Sequence, residues 1–136
     1  MTRPDDVRAL RPPIAAAYEQ TRRTVLEGGI VDRAIKELCA RYLAEDEQVV
    51  AHADDTGRFD DRERAALAWT EAITLVSQTH VPDDVYEETK KHFSEKEIVD
   101  LTLAVSMINM WNRLAISTRA VPGRYKPAQT ATASGS

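Results

Sequence analysis

The sequence predicts an all-α domain, and three observations carry that expectation. Apolar residues recur with helical period: Val31, Ala34, Ile35, Leu38, Cys39 and Tyr42 form one stripe at ~100° per residue. Helix punctuation is explicit, with Asp60 three residues before Glu63 and Ser94 three residues before Glu97, the spacing of a capping box. Finally, no stretch between turn residues alternates apolar and polar side chains convincingly enough to make a strand.

The elements follow in order. Met1–Arg11 reads as a polar lead-in. Pro13 suits the first turn of a helix running to Glu27, and Gly28-Gly29 is expected to end it by allowing positive φ. With Asp32 as N-cap, a second helix runs to about Ala44. Glu47–Ala53 can form a short helix before the turn residues Asp54-Asp55-Thr56-Gly57. Asp60 opens a helix to about Ser77 with Ala65, Ala68, Trp69, Ala72 and Val76 on one face, and Pro82-Asp83-Asp84 opens a short one to His92. Ser94 starts the last helix, to about Thr118, with Phe93 and Ile98 placed for a hydrophobic staple. Val121-Pro122-Gly123 stops it. Five or six helices are expected to pack as one compact domain over residues 1–127, with Ala128–Ser136 a small, polar, disordered tail.

Composition narrows the function classes. At 136 residues the chain suits one domain with a modest core. A net charge of -4 with no Lys/Arg cluster argues against nucleic acid as a partner. The longest apolar run is broken by Asp100, Asn109, Asn112 and Arg113, so no membrane span is expected, and the N-terminus has no signal-peptide core. One cysteine fits a reducing cytoplasm.

The last helix is the most informative segment. From Ile98 to Ile116 it is apolar on most sides, which predicts burial all round, except that Thr102, Ser106, Asn109 and Arg113 form a narrow polar seam with Asn112 at its edge. A buried guanidinium needs a counter-ion, and Glu71, at the flank of the Trp69/Ala72 face, is the expected partner of Arg113. The seam is either a fold-specifying network or the lining of a pocket in which Asn109, Asn112, Arg113 and Glu71 meet a small anionic or carbonyl-bearing molecule. Trp69 and Trp111 are core or interface aromatics on either account. Cys39, in mid-helix on an apolar stripe, reads as a small buried hydrophobe. His52 is the best acid/base candidate, with Glu37 placed to orient it if residues 45–58 fold back on the second helix. His80 and His92 sit beside polar turns and carry less. No His, Cys, Asp or Glu spacing suggests a metal, and no cofactor is expected.

Three stretches are also familiar: Arg62-Glu63-Arg64-Ala65-Ala66-Leu67-Ala68-Trp69-Thr70-Glu71-Ala72, His92-Phe93-Ser94-Glu95-Lys96-Glu97-Ile98-Val99-Asp100-Leu101-Thr102, and Ile108-Asn109-Met110-Trp111-Asn112-Arg113-Leu114-Ala115-Ile116. Together they resemble the carboxymuconolactone decarboxylase family, whose superfamily includes the AhpD-like alkylhydroperoxidases. The resemblance spans roughly Phe59 to Pro127. It implies an AhpD-like helical fold, homo-oligomers built through the long helices, and either decarboxylation of a lactone acid or thiol reduction of hydroperoxides.

One part of the family pattern does not carry over. In AhpD-like members a Glu precedes, by twelve residues, a Cys-x-x-Cys pair followed by a His. Glu37 matches that Glu in its local setting, but the three later positions hold Val49, His52 and Thr56. Peroxide reduction through a thiol pair needs one sulfur to be oxidised and a second to resolve it, and neither is at the expected place. The expectation is therefore a shortened, degenerate member. Two classes stay open. In one, Glu37 and His52 exchange protons with a substrate whose carboxylate is held by Arg113 or Arg58. In the other, the same helices make a non-catalytic oligomeric scaffold or small-molecule-binding protein. The sign to look for is whether Glu37 and His52 converge on an enclosed cavity.

Overall fold

The computed structural model describes residues 12–117, all of whose regular elements are α-helical. The lead-in Met1–Arg11, the stop at Val121-Pro122-Gly123 and the tail Ala128–Ser136 lie outside the described residues. In chain order the helices are α1 (Pro12–Gly28), α2 (Arg33–Leu43), α3 (Glu47–Val50), α4 (Asp61–Thr74), α5 (Val76–Thr79), α6 (Asp83–His92) and α7 (Glu95–Ser117). Among the described residues these seven exceed the expected five or six because the stretch expected to be one helix from 61 to 77 is interrupted at Leu75 (φ -103°, ψ 32°). The chain then turns sharply: Thr79 Oγ1 donates to the Ala72 carbonyl (2.8 Å) and accepts from the Val81 N–H (3.1 Å), with His80 and Val81 both left-handed.

The sequence punctuation forms as read. Asp60 and Glu63 exchange both bonds of a capping box, at 2.7 and 2.9 Å, and Ser94 with Glu97 does the same at 3.2 and 2.9 Å. Phe93 and Ile98 join the core together, completing the staple. Asp32 does sit at the N-cap of α2, yet its carboxylate turns away to Arg62 (2.9 Å). Arg62 also lies over the Phe93 ring, 4.5 Å from its centroid, and so ties the starts of α2, α4 and α7 together. Burial works against ionisation of Asp32, but this guanidinium and nearby backbone N–H groups together outweigh it and hold the carboxyl below its usual range.

The centre of the fold is α4, which packs on α6, α2 and α7. Its buried set, Ala65, Ala66, Leu67, Trp69, Thr70 and Ala72, spans more than half of the helix circumference, because small side chains let neighbours approach from several directions. Expectation had placed that role on α7. Instead, α7 buries one stripe, Ile98, Leu101, Ala104, Val105 and Asn109, while Val99, Leu103 and Met110 on other faces are about half exposed or more. Of the polar seam only Asn109 is buried; Thr102 and Asn112 are half-buried, and Ser106 and Arg113 are exposed.

The α1–α2 connection holds a feature that sequence reading missed. Lys36, 3% exposed, places its Nζ 2.9 Å from Asp100 Oδ2 on α7 and donates to the Val25 carbonyl at 2.6 Å. That carbonyl is among the last four of α1, which have no partner within the helix. Asp100 in turn accepts from the Val31 N–H at 2.8 Å. Glycine at position 29 leaves room for this pair: a Cβ there would overlap the Asp100 carboxylate and Lys36 Nζ where they stand. Positive φ, the expected reason for Gly28-Gly29, is used at neither position.

Candidate functional site

The C-terminal half of α7 is flanked by cavities on two sides. The larger, about 420 Å³, lies where α7 meets the end of α2, the end of α4 and the short α3. Its polar lining includes Asn109, Asn112 and Arg113, three of the four substrate-contact candidates, with Tyr42, Glu45 and Thr74. Leu43, Val50 and Ile116 supply apolar wall. Asn109 is fixed by donating from Nδ2 to Thr74 Oγ1 (2.8 Å), which leaves its carbonyl oxygen available to accept. About two helical turns towards the N-terminus, Trp69 Nε1 donates to Thr102 Oγ1 (2.9 Å), so α4 and α7 are pinned at two points.

Glu71, the fourth candidate, does not pair with Arg113. It accepts a hydrogen bond from the Tyr42 hydroxyl at 3.0 Å. The side-chain hydrogen bonds between α4 and α7 are made by Trp69 and Thr74, whereas Glu71 reaches α2 instead. Burial, then the Glu71 carboxylate, pushes the Tyr42 hydroxyl up to about 12. Among the described residues Arg113 makes no ion pair at all, and its guanidinium is left on the cavity wall.

Two smaller cavities, about 180 and 250 Å³, run between α1, α2 and α7 and share Arg22, Leu26 and Ile108. Glu37 and Lys36 line the first; Tyr18 and Trp111, stacked at 5.6 Å, line the second. Glu37 is largely exposed and held by Arg33 four residues before it, at 3.0 Å. His52 is elsewhere, half-buried, with Nδ1 3.7 Å from Asp55 Oδ2. Residues 45–58 do fold back on α2, but it is Val49 that turns inward: fully buried, it packs against Leu38 and Leu67. An apolar side chain thus fills the position where the counted family pattern has sulfur. No hydrogen bond joins Glu37 to His52, and no described cavity is lined by both. Arg58, the other candidate for a substrate carboxylate, donates to Gln48 at 3.0 Å.

Cys39 is 1% exposed, inside the main core between α2 and α4. Burial pushes its thiol up to about 11, against a weaker opposing bond with Thr70. A nucleophilic thiol needs the opposite shift. Among the described residues no group of three or more His, Cys, Asp or Glu side chains is placed to hold a metal ion, and no helix is long and apolar enough to cross a membrane.

Comparison with known proteins adds the following. No protein-family model matches the chain. A solved structure from Agrobacterium tumefaciens, described as a protein of unknown function and proposed to be the antioxidant defence protein AhpD, superposes with a TM-score of 0.68 over 88% of this chain and 97% of that one, at 25% identity. The fold is AhpD-like. A Bacillus subtilis (strain 168) protein, YdfG, itself uncharacterised, is 38% identical over 81 residues, 57% of this chain. The chain covers 55% of that relative's length.

Several participants were not found from sequence. Tyr42 looked like one more member of the α2 stripe, and Thr74 like an ordinary helix position. Glu45 follows the C-cap residue Ala44 of α2, a position where glycine is the common choice, and it adopts φ 62°.

Proposed function

We propose that this chain is a member of the carboxymuconolactone decarboxylase and AhpD-like family that has lost the thiol-peroxidase cycle and binds a small anionic or carbonyl-bearing molecule in the 420 Å³ cavity beside α7. One observation carries the reading. Asn109, Asn112 and Arg113 line a single cavity with polar groups to spare, whereas the residues needed for catalysis are dispersed or sealed. An arginine with no counter-ion among the described residues, beside two amides and an apolar wall, suits a carboxylate on an apolar body.

Support against the peroxidase cycle is chemical. The sequence holds one cysteine, its thiol is buried and hard to ionise, and Val49 and Thr56 carry neither sulfur nor imidazole. Proton-transfer catalysis by Glu37 and His52 has less behind it, because each is engaged with a neighbour of its own. In line with the superfamily, we place the protein in the cytoplasm as a homo-oligomer. The half-exposed Val99, Leu103 and Met110 on α7, with Val76 on α5, supply apolar surface for a partner copy. Light scattering should find a dimer or larger species at micromolar concentration; a stable monomer contradicts this part.

The binding reading is tested by thermal shift and titration calorimetry with small branched and aromatic monocarboxylates. Binding is expected, and Arg113→Ala should weaken it at least about tenfold, the scale of one charge-assisted bond. Peroxide consumption with a dithiol donor should stay at the background rate. Absence of carboxylate binding, or steady peroxide turnover, overturns the reading.

A further inference from the structure

Helix α2 ends in a Schellman motif, with the Asp46 N–H donating to the Arg41 carbonyl and the Glu45 N–H to the Tyr42 carbonyl, both at 3.0 Å. The left-handed position in this motif is normally glycine, because any side chain there meets the backbone. Here it is Glu45, at φ 62°. A residue held in an unfavourable conformation is a reason to ask what its side chain does. Glu45 lines the 420 Å³ cavity that Arg113 also lines. Neither forms an ion pair with the other or with any described residue, although they carry opposite charge and share a site.

We propose that the cavity binds a zwitterion, an α-amino acid with an apolar side chain, with its ammonium at Glu45 and its carboxylate at Arg113. This rests on the binding reading above and narrows its ligand class. Asn109, through its free carbonyl oxygen, and Asn112 line the same cavity as further hydrogen-bond partners, and Leu43, Val50 and Ile116 form the wall for the side chain. Two complementary charges on one cavity, neither ion-paired among the described residues, favour a ligand that carries both charges over one that carries a single charge.

The test uses the full chain and three matched probes: L-leucine, 4-methylpentanoate (leucine without its amine) and 3-methylbutylamine (leucine without its carboxylate). Calorimetry should find leucine at least about tenfold tighter than either fragment, one charge-assisted interaction being worth about that much. Glu45→Gln should remove the preference and leave 4-methylpentanoate unchanged. Glu45→Gly should do the same while raising the melting temperature, since glycine relieves the left-handed backbone. If 4-methylpentanoate binds as tightly as leucine, or if Glu45→Gln leaves the leucine preference intact, the zwitterion proposal fails while the carboxylate site stands. If no probe binds at millimolar concentration, both fail together.

Discussion

The two ends of α7 carry the same kinds of charge to opposite effect. Near its start, Asp100 meets Lys36 at 2.9 Å in a sealed joint, and backbone groups from Val25 and Val31 complete both partners. Near its end, Arg113 and Glu45 share an open cavity and are satisfied by nothing described. A buried charge survives only when paired and hydrogen-bonded, so the first end must be structural. Exposed charge tolerates being unpaired, so the second end is free to meet a ligand. Polar residues on one helix thus divide by their surroundings rather than by their type.

The largest effects should come from the sealed end. Lys36→Met strands the Asp100 carboxylate in the core and should cost about 3–5 kcal/mol in urea unfolding. Adding Asp100→Leu should recover part of that loss; losses that simply add would show that the two charges do not act as a pair. Gly29→Ala should be destabilising on a similar footing, because the new methyl group cannot coexist with Asp100 and Lys36 where they stand.

Alkaline pH probes the core between those ends. The Cys39 thiol is raised from 9.0 to about 11, so its folded state holds the proton more tightly than the unfolded chain does. Its contribution is complete below about pH 9 and is lost as pH rises towards 11, on the order of 3 kcal/mol for the full shift. Cys39→Ala should flatten that decline. In the native protein at neutral pH, Cys39 should react with a thiol reagent far more slowly than after denaturation. Fast native labelling would contradict a sealed thiol and reopen one-cysteine chemistry.

Smaller effects belong to the pins between α4 and α7. Asn109→Ala removes the bond to Thr74 and should cost about 1 kcal/mol, as should Trp69→Phe, which loses the bond to Thr102. At the open end the effect should nearly vanish. Arg113→Ala is expected to lie within ~0.5 kcal/mol of the parent, the usual range for an exposed side chain without partners.

Much of the local structure is legible in the sequence because its causes are local. The two capping boxes, the Phe93/Ile98 staple and the α2 stripe each need only residues within a few positions. What escaped was long-range. Lys36 looks like a surface residue beside Ile35, and its counter-ion lies 64 positions on, at Asp100. Helix α7 looked central because it is apolar, yet α4 holds the centre because alanines and Thr70 permit close approach from several sides. Hydropathy measures what a side chain prefers, and α4 shows that size decides what can gather round it. The candidate site was half legible. Asn109, Asn112 and Arg113 were visible as a seam, while their openness and the company of Glu45 and Tyr42 depend on how α2 ends.

The most direct test of this division is a urea titration of the parent and Arg113→Ala, each with and without 4-methylpentanoate at about 100 times its Kd. Without ligand the two should unfold within ~0.5 kcal/mol of each other. With ligand the parent should gain about 2.7 kcal/mol and the variant much less. If Arg113→Ala is already several kcal/mol weaker without ligand, the arginine is part of the scaffold and the division between the two ends of α7 fails.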